Sequence, residues 1–376
     1  MGIRILFYAK RNLHLPHMEP VRRWLADNAA GVEIRVSSPP YSPPRESLPG
    51  VGLTDEQIRR LEKDGIEWIP ESDILDWGPD ATVFADADLG GIFWGGKFIN
   101  VNHGLISKGT FYTTSPNVLR ENALHMICTP GQHHADVLRK VVKPPVVATG
   151  FVKFDPIGRG ELTKGSARER FGIPVDSEVI TFAPTFNLEL SAVPVLSDRI
   201  RELLDDKPNR HLLIKLHGMA PSVWVEMYRL LSVIEPRIQF IEDTDLTPAL
   251  IAADVVISDV SSAFMEAIAL DKPVVLVDNP LQTTFAHYDP NDIEYSWRHV
   301  GLRASTVEQT IAAVERSFLH PEEKAELRAE YGPKLVGPID GKAAERAAKQ
   351  VLVAVNPKLA VASTAATGAE ALEAVK

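Results

Sequence analysis

The chain has 376 residues, of which 45% are hydrophobic and 24% are charged, so it is long enough for two globular domains. Its formal net charge of -10 argues against general nucleic-acid binding, which needs a basic face to neutralise phosphates. A small anionic ligand is still compatible with this charge, because local dipoles such as helix N-termini can hold it.

Cellular location can be judged from the single cysteine and the N-terminus. Cys128 lies in an apolar run, so no disulfide can form within the chain, and a buried thiol is favoured over a nucleophile. Met1–Leu6 lacks the apolar core and cleavage site of a signal peptide, and no run of about 18 apolar residues occurs. We expect a cytoplasmic protein, with contact to the inner face of the cell membrane left open.

Short apolar runs alternate with amphipathic stretches along the chain, which predicts an α/β fold with parallel sheets and helices on both faces. The predicted strands are Ile3–Tyr8, Val32–Val36, Ala81–Ala85, Phe98–Val101, His125–Cys128, Val146–Ala148, Val179–Phe182, Leu212–Leu216, Ile238–Ile241, Val255–Ser258 and Val274–Val277. The predicted helices include Met18–Asn28, Asp55–Lys63, Ser197–Leu204, Pro221–Leu231 and Ser261–Leu270.

Glycines and prolines between Gly150 and Lys164 predict a linker between two halves. We therefore expect one Rossmann-like domain over residues 1–155 and a second over residues 165–335. A closing C-terminal helix is expected over residues 336–355 and a flexible tail over residues 356–376. Ligands of such sheets bind beyond the carboxyl ends of the strands, so residues that follow strands are the candidate site.

In the first half, Asn102-His103-Gly104 follows a predicted strand. Histidine exchanges a proton near neutral pH, so His103 suits a general base, and Gly104 allows close approach of a substrate. Lys108 is positioned to meet an anionic group. A purely structural histidine remains the alternative, and for this motif alone it is the more common case.

In the second half, Thr185 follows one predicted strand, and Lys215 and His217 follow the next. A hydroxyl and two cationic or donor groups at neighbouring strand ends suit a diphosphate. The alternatives are an ordinary proline turn at Thr185 and an ordinary polar strand edge at Lys215.

A further strand runs into Ser261 and Ser262 at the start of a predicted helix, where free N–H groups and the helix dipole favour phosphate. Glu266, one turn later, can accept hydrogen bonds from ribose hydroxyls. The alternative is a plain serine N-cap, which is common.

The histidines His125, His133 and His134 are close in sequence, but adjacent histidines point apart and no carboxylate or cysteine has suitable spacing. We therefore predict no metal and no cofactor.

Taken together and in order, these motifs resemble the CDP-glycerol glycerophosphotransferase family, whose members have two Rossmann-like domains in the GT-B arrangement. The matching segments are Asn102–Gly104 with Lys108, Gly150 with Asp155, Ala183–Phe186, Ile214–His217, Ile257–Ser262 and Asp340–Arg346.

The resemblance implies transfer of glycerol phosphate, or a related polyol phosphate, from a CDP-linked donor to a hydroxyl acceptor in teichoic-acid-type or capsule synthesis, with release of CMP. His103 would be the base and His217 a second catalytic group, while Lys215, Thr185 and the two serines would hold phosphates. Glu266 and Asp259 would contact the ribose or nucleotide.

Two other classes remain open. Glutamate at position 266 is more like the ribose-binding residue of GT-B glycosyltransferases, and Ile5–Arg23 looks loosely like UDP-N-acetylglucosamine 2-epimerases. A non-catalytic nucleotide-binding protein is the last alternative. The acceptor can be a polymer, a lipid-linked primer or a sugar.

Overall fold

The computed structural model describes residues 2–43, 50–87, 94–105, 113–243 and 245–356. Within them the chain forms two parallel six-stranded sheets. The first sheet contains β1 (Ile3–Tyr8), β2 (Val32–Ser37), β3 (Ala81–Phe84), β4 (Lys97–Asn100), β5 (Met126–Thr129) and β6 (Val146–Ala148). The second contains β7 (Glu178–Phe182), β8 (Arg210–Ile214), β9 (Ile238–Phe240), β10 (Val255–Ser258), β11 (Val274–Val277) and β12 (Leu302–Ala304).

Helices lie between the strands, as parallel connections require. The helices of the first half are α1 (Leu15–Asn28), α2 (Asp55–Lys63), α3 (Ile74–Trp77), α4 (Ser115–Glu121), α5 (Gln132–Arg139) and α6 (Asp155–Gly158). Those of the second half are α7 (Lys164–Arg170), α8 (Val193–Leu196), α9 (Ser222–Ile234), α10 (Thr247–Ala252), α11 (Ser262–Ala269), α12 (Ile293–Ser296), α13 (Val307–Leu319), α14 (Ala325–Val336) and α15 (Ala343–Val355). No described helix has both the length and the apolar character needed to cross a membrane.

The strand orders are β2-β1-β3-β4-β5-β6 and β12-β11-β10-β7-β8-β9. Strands β3, β5, β10 and β11 are buried along their whole length, as expected where helices cover both faces of a parallel sheet. The two-domain α/β architecture predicted from the sequence is confirmed. Each sheet lies within one of the two predicted ranges, 1–155 and 165–335.

The segment predicted as a linker is folded, which corrects that expectation. A 3-10 turn at Val152–Phe154 leads into α6, and Phe154 is 1% exposed. The Asp155 carboxylate accepts the backbone N–H groups of Ala343 at 2.9 Å and Ala344 at 2.8 Å. These bonds cap α15 where its first amides have no helical partner, and so fix this helix to the connection between the halves.

Helix α15 completes the core of the first domain although the whole second sheet precedes it in the chain. Its apolar face, with Ala343, Ala347 and Val351, packs in one cluster with residues of β1 and α1. The preceding helix, α14, packs against α11 of the second domain and α5 of the first. The chain therefore crosses between the domains at residues 150–158 and again at residues 336–343. The predicted tail beyond Asn356 lies outside the described residues.

Candidate functional site

Three neighbouring strands of the first sheet, β1, β3 and β4, end at one edge and bring His14, Asp86 and His103 together. One side-chain ligand atom of each residue lies within 4.8 Å of the others. Carboxyl ends of parallel strands share an edge, so residues distant in sequence converge there. His103, the predicted base, thus lies in a group that the sequence did not reveal.

The loop after β4 fixes the orientation of His103. Its Nδ1 lies 2.6 Å from the Ala85 carbonyl oxygen, which can only accept, so Nδ1 carries the proton and Nε2 keeps its lone pair. Asn102, at a φ of 59°, donates from its side chain to the Cys128 carbonyl at 2.7 Å and holds the loop against β5. A base needs an unprotonated nitrogen, and this arrangement supplies one.

Two more histidines surround His103. The His14 ring stacks on it with centroids 5.0 Å apart, and the His17 ring meets it edge-on at 6.1 Å. Burial holds the pKa of both His14 and His17 well below the ordinary value, and the positive charges of their neighbours lower it further. Both are therefore neutral imidazoles at physiological pH.

A carboxyl group with an altered pKa lies behind this edge. Glu121 is 4% exposed, and burial together with the nearby Asp86 raises its pKa to about 7, while a hydrogen bond with Asn100 opposes the shift. Glu121 is consequently a proton-exchanging group in the neutral range beside the histidine cluster.

In the second domain, Asp259 organises the loops that follow β7 and β10. Its carboxylate accepts the backbone N–H groups of Thr185 at 3.0 Å, Ala192 at 2.8 Å and Ser261 at 3.0 Å. It is 0% exposed, and burial raises its pKa to about 6 against the effect of these donors. A ribose contact would require these bonds to break, so we assign Asp259 to the scaffold of the site rather than to the predicted nucleotide contact.

The predicted phosphate-binding residues lie at adjacent strand ends. Asp259 places Thr185 beside Ser261, and Ser261 caps α11 by accepting the Ala263 N–H at 3.3 Å. Ser262 begins the helix, and both serines are half-buried. The helix N-terminus and the loop after β7 therefore form one continuous polar edge.

Lys215 and His217 follow β8, the next strand along. Lys215 is half-buried and donates from Nζ to the Leu216 carbonyl at 2.8 Å, and burial lowers its pKa. His217 is exposed, and its ring packs on Phe186 with centroids 4.6 Å apart. This ring contact joins the loops after β7 and β8, so His217 lies against the residue that follows Thr185.

Lys153 links the two domains within the cleft. Its Nζ lies 3.1 Å from Glu266 and 3.7 Å from Asp245, with the Lys153 side chain 15% and the Glu266 side chain 8% exposed. Burial lowers the pKa of Lys153, but the two carboxylates outweigh it and hold that pKa above its ordinary value. Burial also raises the pKa of Glu266. We take the pair as ionised, because the 3.1 Å contact satisfies both charges.

This ion pair changes the interpretation of Glu266. The carboxylate predicted to receive ribose hydroxyls is engaged by Lys153 in the structure. A ribose contact by Glu266 stays a prediction, and it must coexist with Lys153 or displace it.

Sequence reasoning missed His14, His17, Asp86 and Lys153. His14 and His17 lie where a helix start was not expected, and Lys153 lies in the segment taken for a linker. A signal was available for Asp86, because it follows an apolar strand as His103 does. Lys108 lies outside the described residues.

Gly104 lies beside His103, and a Cβ at that position would meet no atom of the described residues within 4 Å. Close approach of a substrate at Gly104 stays a prediction.

The histidines weighed as metal ligands from the sequence lie apart in the structure. His125 accepts the Phe98 N–H at 3.1 Å, and His133 packs on Trp297 with centroids 4.9 Å apart, while His134 is buried. The residues that do converge with suitable ligand atoms are His14, Asp86 and His103. Among the described residues, the candidate metal ligands are therefore at the edge of the first sheet and not at the histidines considered from the sequence.

The model of the CDP-glycerol:poly(glycerophosphate) glycerophosphotransferase family matches residues 130–353. This match covers more than half of the chain, and the chain belongs to that family. It is accordingly an enzyme, a transferase that uses a CDP-linked polyol-phosphate donor. A comparison with curated protein sequences gave no match.

Solved structures with the same fold include a variant of the wall teichoic acid polymerase TagF, with a TM-score of 0.67 and 13% identity over 95% of this chain and 90% of that one. A putative UDP-N-acetylglucosamine 2-epimerase from Listeria monocytogenes has a TM-score of 0.65 and 16% identity, covering 95% of this chain and 97% of that one. The UDP-GlcNAc 2-epimerase from Neisseria meningitidis, bound to UDP-GlcNAc, has a TM-score of 0.61 and 16% identity, with 94% and 100% covered. The GT-B-like fold expected from the resemblance is confirmed.

Proposed function

We propose that the enzyme transfers glycerol phosphate from CDP-glycerol to a hydroxyl acceptor, with His103 as the base. One connected set of contacts supports this assignment: the imidazole of His103, with its unprotonated Nε2, meets the His17 ring, and the charge of Lys153 adds to burial in lowering the pKa of His17. Lys153 in turn pairs with Glu266 of α11, the helix whose N-terminus is the proposed phosphate site. A solved structure of a TagF variant soaked with CDPG supports the choice of donor.

In this mechanism, Nε2 of His103 takes the proton of the acceptor hydroxyl as that oxygen attacks the β-phosphorus of the donor. A new phosphorus–oxygen bond forms, the bond from the β-phosphorus to the bridging oxygen breaks, and CMP leaves. Phosphoryl transfer depends mainly on positioning and on stabilising developing charge. Lys215, Lys153 and the N–H groups at Ser262 supply that charge compensation.

Thr185, Ser261 and His217 complete the donor side as hydrogen-bond donors to the diphosphate. Asp259 acts indirectly, since it holds Thr185 and Ser261 in place through their backbones. A phosphate oxygen accepts from hydroxyl, imidazolium and backbone N–H groups alike, so the edge suits a diphosphate without base-specific contacts.

The direct test measures CMP release from CDP-glycerol with a polyol-phosphate acceptor. His103→Ala should lower turnover by about 100-fold or more, because general base catalysis contributes about 10²–10⁴-fold. His125→Ala, at an exposed histidine on the same sheet, is the matched control and should keep full activity. Full activity of His103→Ala would refute the base assignment.

Ligand choice is tested by thermal shift with CDP-glycerol, CDP-ribitol, CMP, UDP and UDP-N-acetylglucosamine. A ligand at about 100 times its Kd stabilises the folded state by about 2.7 kcal/mol. Stabilisation by cytidine compounds alone supports the proposal. Stabilisation by uridine compounds alone would favour the second candidate, a nucleotide-sugar enzyme, for which the buried Glu266 and the epimerase-like fold are the specific observations.

The acceptor and the place of reaction are part of the proposal. We infer a lipid-linked primer or growing polymer as acceptor, met at the inner face of the cell membrane. Cosedimentation with vesicles that carry a polyol-phosphate lipid, compared with vesicles that lack it, tests this. Equal partition between the two would count against a lipid-linked acceptor.

A further inference from the structure

We propose that His14, Asp86 and His103 form a binding site for one divalent transition-metal ion of the zinc class. One ligand atom of each residue lies within 4.8 Å of the others, at the edge where β1, β3 and β4 end. Two imidazole nitrogens and one carboxylate oxygen are a typical set for zinc, with the fourth position left for water or substrate. Imidazole ligands favour zinc-class ions over magnesium or calcium, which prefer oxygen ligands.

His103 is prepared for metal binding by its backbone partner. Because Nδ1 donates to the Ala85 carbonyl at 2.6 Å, Nε2 is the nitrogen with a free lone pair. Histidines that bind metals commonly donate the other ring N–H to a carbonyl or carboxylate, which fixes the ring and makes the ligand nitrogen more basic.

His14 provides a second, independent observation. It is 1% exposed, and its Nε2 has no hydrogen-bond partner among the described residues. Buried polar atoms are nearly always paired, so a solitary buried imidazole nitrogen needs an explanation. A metal ion bound at this nitrogen satisfies it, and the neutral form of the ring is the form that binds metal.

The geometry requires only a small adjustment. Ligand atoms at about 2.1 Å from a tetrahedral ion lie about 3.4 Å apart, so a limit of 4.8 Å calls for closure by roughly 1 Å or a little more. Metal binding would require the Asp86 and His14 side chains to move by about this amount, while His103 stays on its carbonyl. The half-buried Asp86 supplies the negative charge that an ion in this polar edge needs.

The site has a functional consequence that rests on the proposed function. The ion takes the same Nε2 lone pair that a general base uses, so metal binding and base catalysis at His103 exclude each other. Zinc should therefore inhibit transfer, and a chelator should restore it. An ion bound here would inhibit the reaction and would not assist it.

The test titrates the full chain with Co²⁺, whose visible absorption reports tetrahedral nitrogen and oxygen ligands, and then displaces it with Zn²⁺. Wild type should bind one equivalent. His14→Gln and Asp86→Asn each remove a metal ligand. Each should therefore weaken Co²⁺ binding by more than loss of a residue that only hydrogen-bonds to a ligand, which costs about 10–100-fold. His320→Gln, at an exposed histidine of the second domain, should bind as wild type does.

Asp86→Asn keeps the size and shape of the side chain, and unchanged circular dichroism would show that it folds. Absence of a stoichiometric Co²⁺ spectrum in wild type, or equal affinity in all three variants, would overturn the site. CMP release is measured in parallel with and without Zn²⁺. Stoichiometric binding without inhibition would support the metal site and instead refute His103 as the base.

Discussion

The ion pair between Lys153 and Glu266 should contribute measurably to stability, in contrast to most ion pairs on protein surfaces. At 3.1 Å, two unit charges attract by about 5 kcal/mol at an effective dielectric constant of about 20. Desolvation of the two buried groups offsets part of this attraction. We expect a coupling energy of about 2 kcal/mol in a double-mutant cycle of Lys153→Met, Glu266→Gln and the double variant.

Lys153→Met leaves the buried Glu266 carboxylate without its partner, which typically costs about 3–5 kcal/mol. Glu266→Gln costs less, because Lys153 keeps Asp245 at 3.7 Å. Lys153→Met, which leaves a buried carboxylate, should therefore lower the free energy of unfolding. Adding Glu266→Gln to this variant should lower that free energy by a smaller amount. Guanidinium unfolding of the four proteins gives the cycle, since the linear dependence on denaturant yields each free energy.

A matched control is the pair Lys334–Glu330, at 2.7 Å but with side chains 49% and 52% exposed. Such an exposed pair at i, i+4 should couple by only about 0.3–0.5 kcal/mol. If the Lys153–Glu266 coupling falls to the value of this control, burial does not strengthen the contact and the reasoning is refuted.

Three further perturbations follow from the packing. Glu121→Gln should remove a pH dependence of folding stability. Because the pKa of Glu121 is raised to about 7 in the folded state, its protonated form stabilises the wild type fully below about pH 4.5, and up to about 3 kcal/mol of the free energy of unfolding is lost as pH rises through 7. A Tm difference between variant and wild type that stays constant from pH 5 to 8 would contradict this. Gly150→Ala places a Cβ 2.8 Å from the Cβ of Ala343 and should lower Tm by several degrees. Gly160→Ala, also at positive φ but with no atom of the described residues within 4 Å, should show only the smaller backbone penalty, and equal losses in Tm would argue against the contact. Asp155→Ala leaves two buried N–H groups unpaired and should cost about 2–4 kcal/mol in urea unfolding, so a change below about 0.5 kcal/mol would show that α15 is not held this way.

The sequence predicted the elements whose signal is local. Helix α2 has the predicted bounds because Thr54 and Gln57 form a capping box at its start. The fully buried strands β10 and β11 were equally clear. Strand β12 was missed, since three residues with an exposed arginine in the middle carry little pattern. Ser197–Leu204 was predicted as a helix and forms 3-10 turns.

Position at a sheet edge was predictable where a residue follows a strand, and it was not predictable where tertiary packing decides. His103, Thr185, Lys215 and Ser261 follow strands as expected, and their roles stay predictions. Lys153 was not, because only the packed connection between the domains turns it towards Glu266. Nor could Asp259 be judged from sequence, since its three bonds to backbone amides depend on the loops around it.

The late position of α15 in the chain has a consequence for biosynthesis. Strand β1 leaves the ribosome before the whole second domain, yet the alanine-rich helix that covers its core emerges only after that domain. The first domain therefore cannot complete its hydrophobic core while the second is being synthesised. It remains an incompletely folded intermediate until α15 has emerged. A nascent chain stopped before residue 343 should expose that surface to chaperones, whereas the second domain can already be folded.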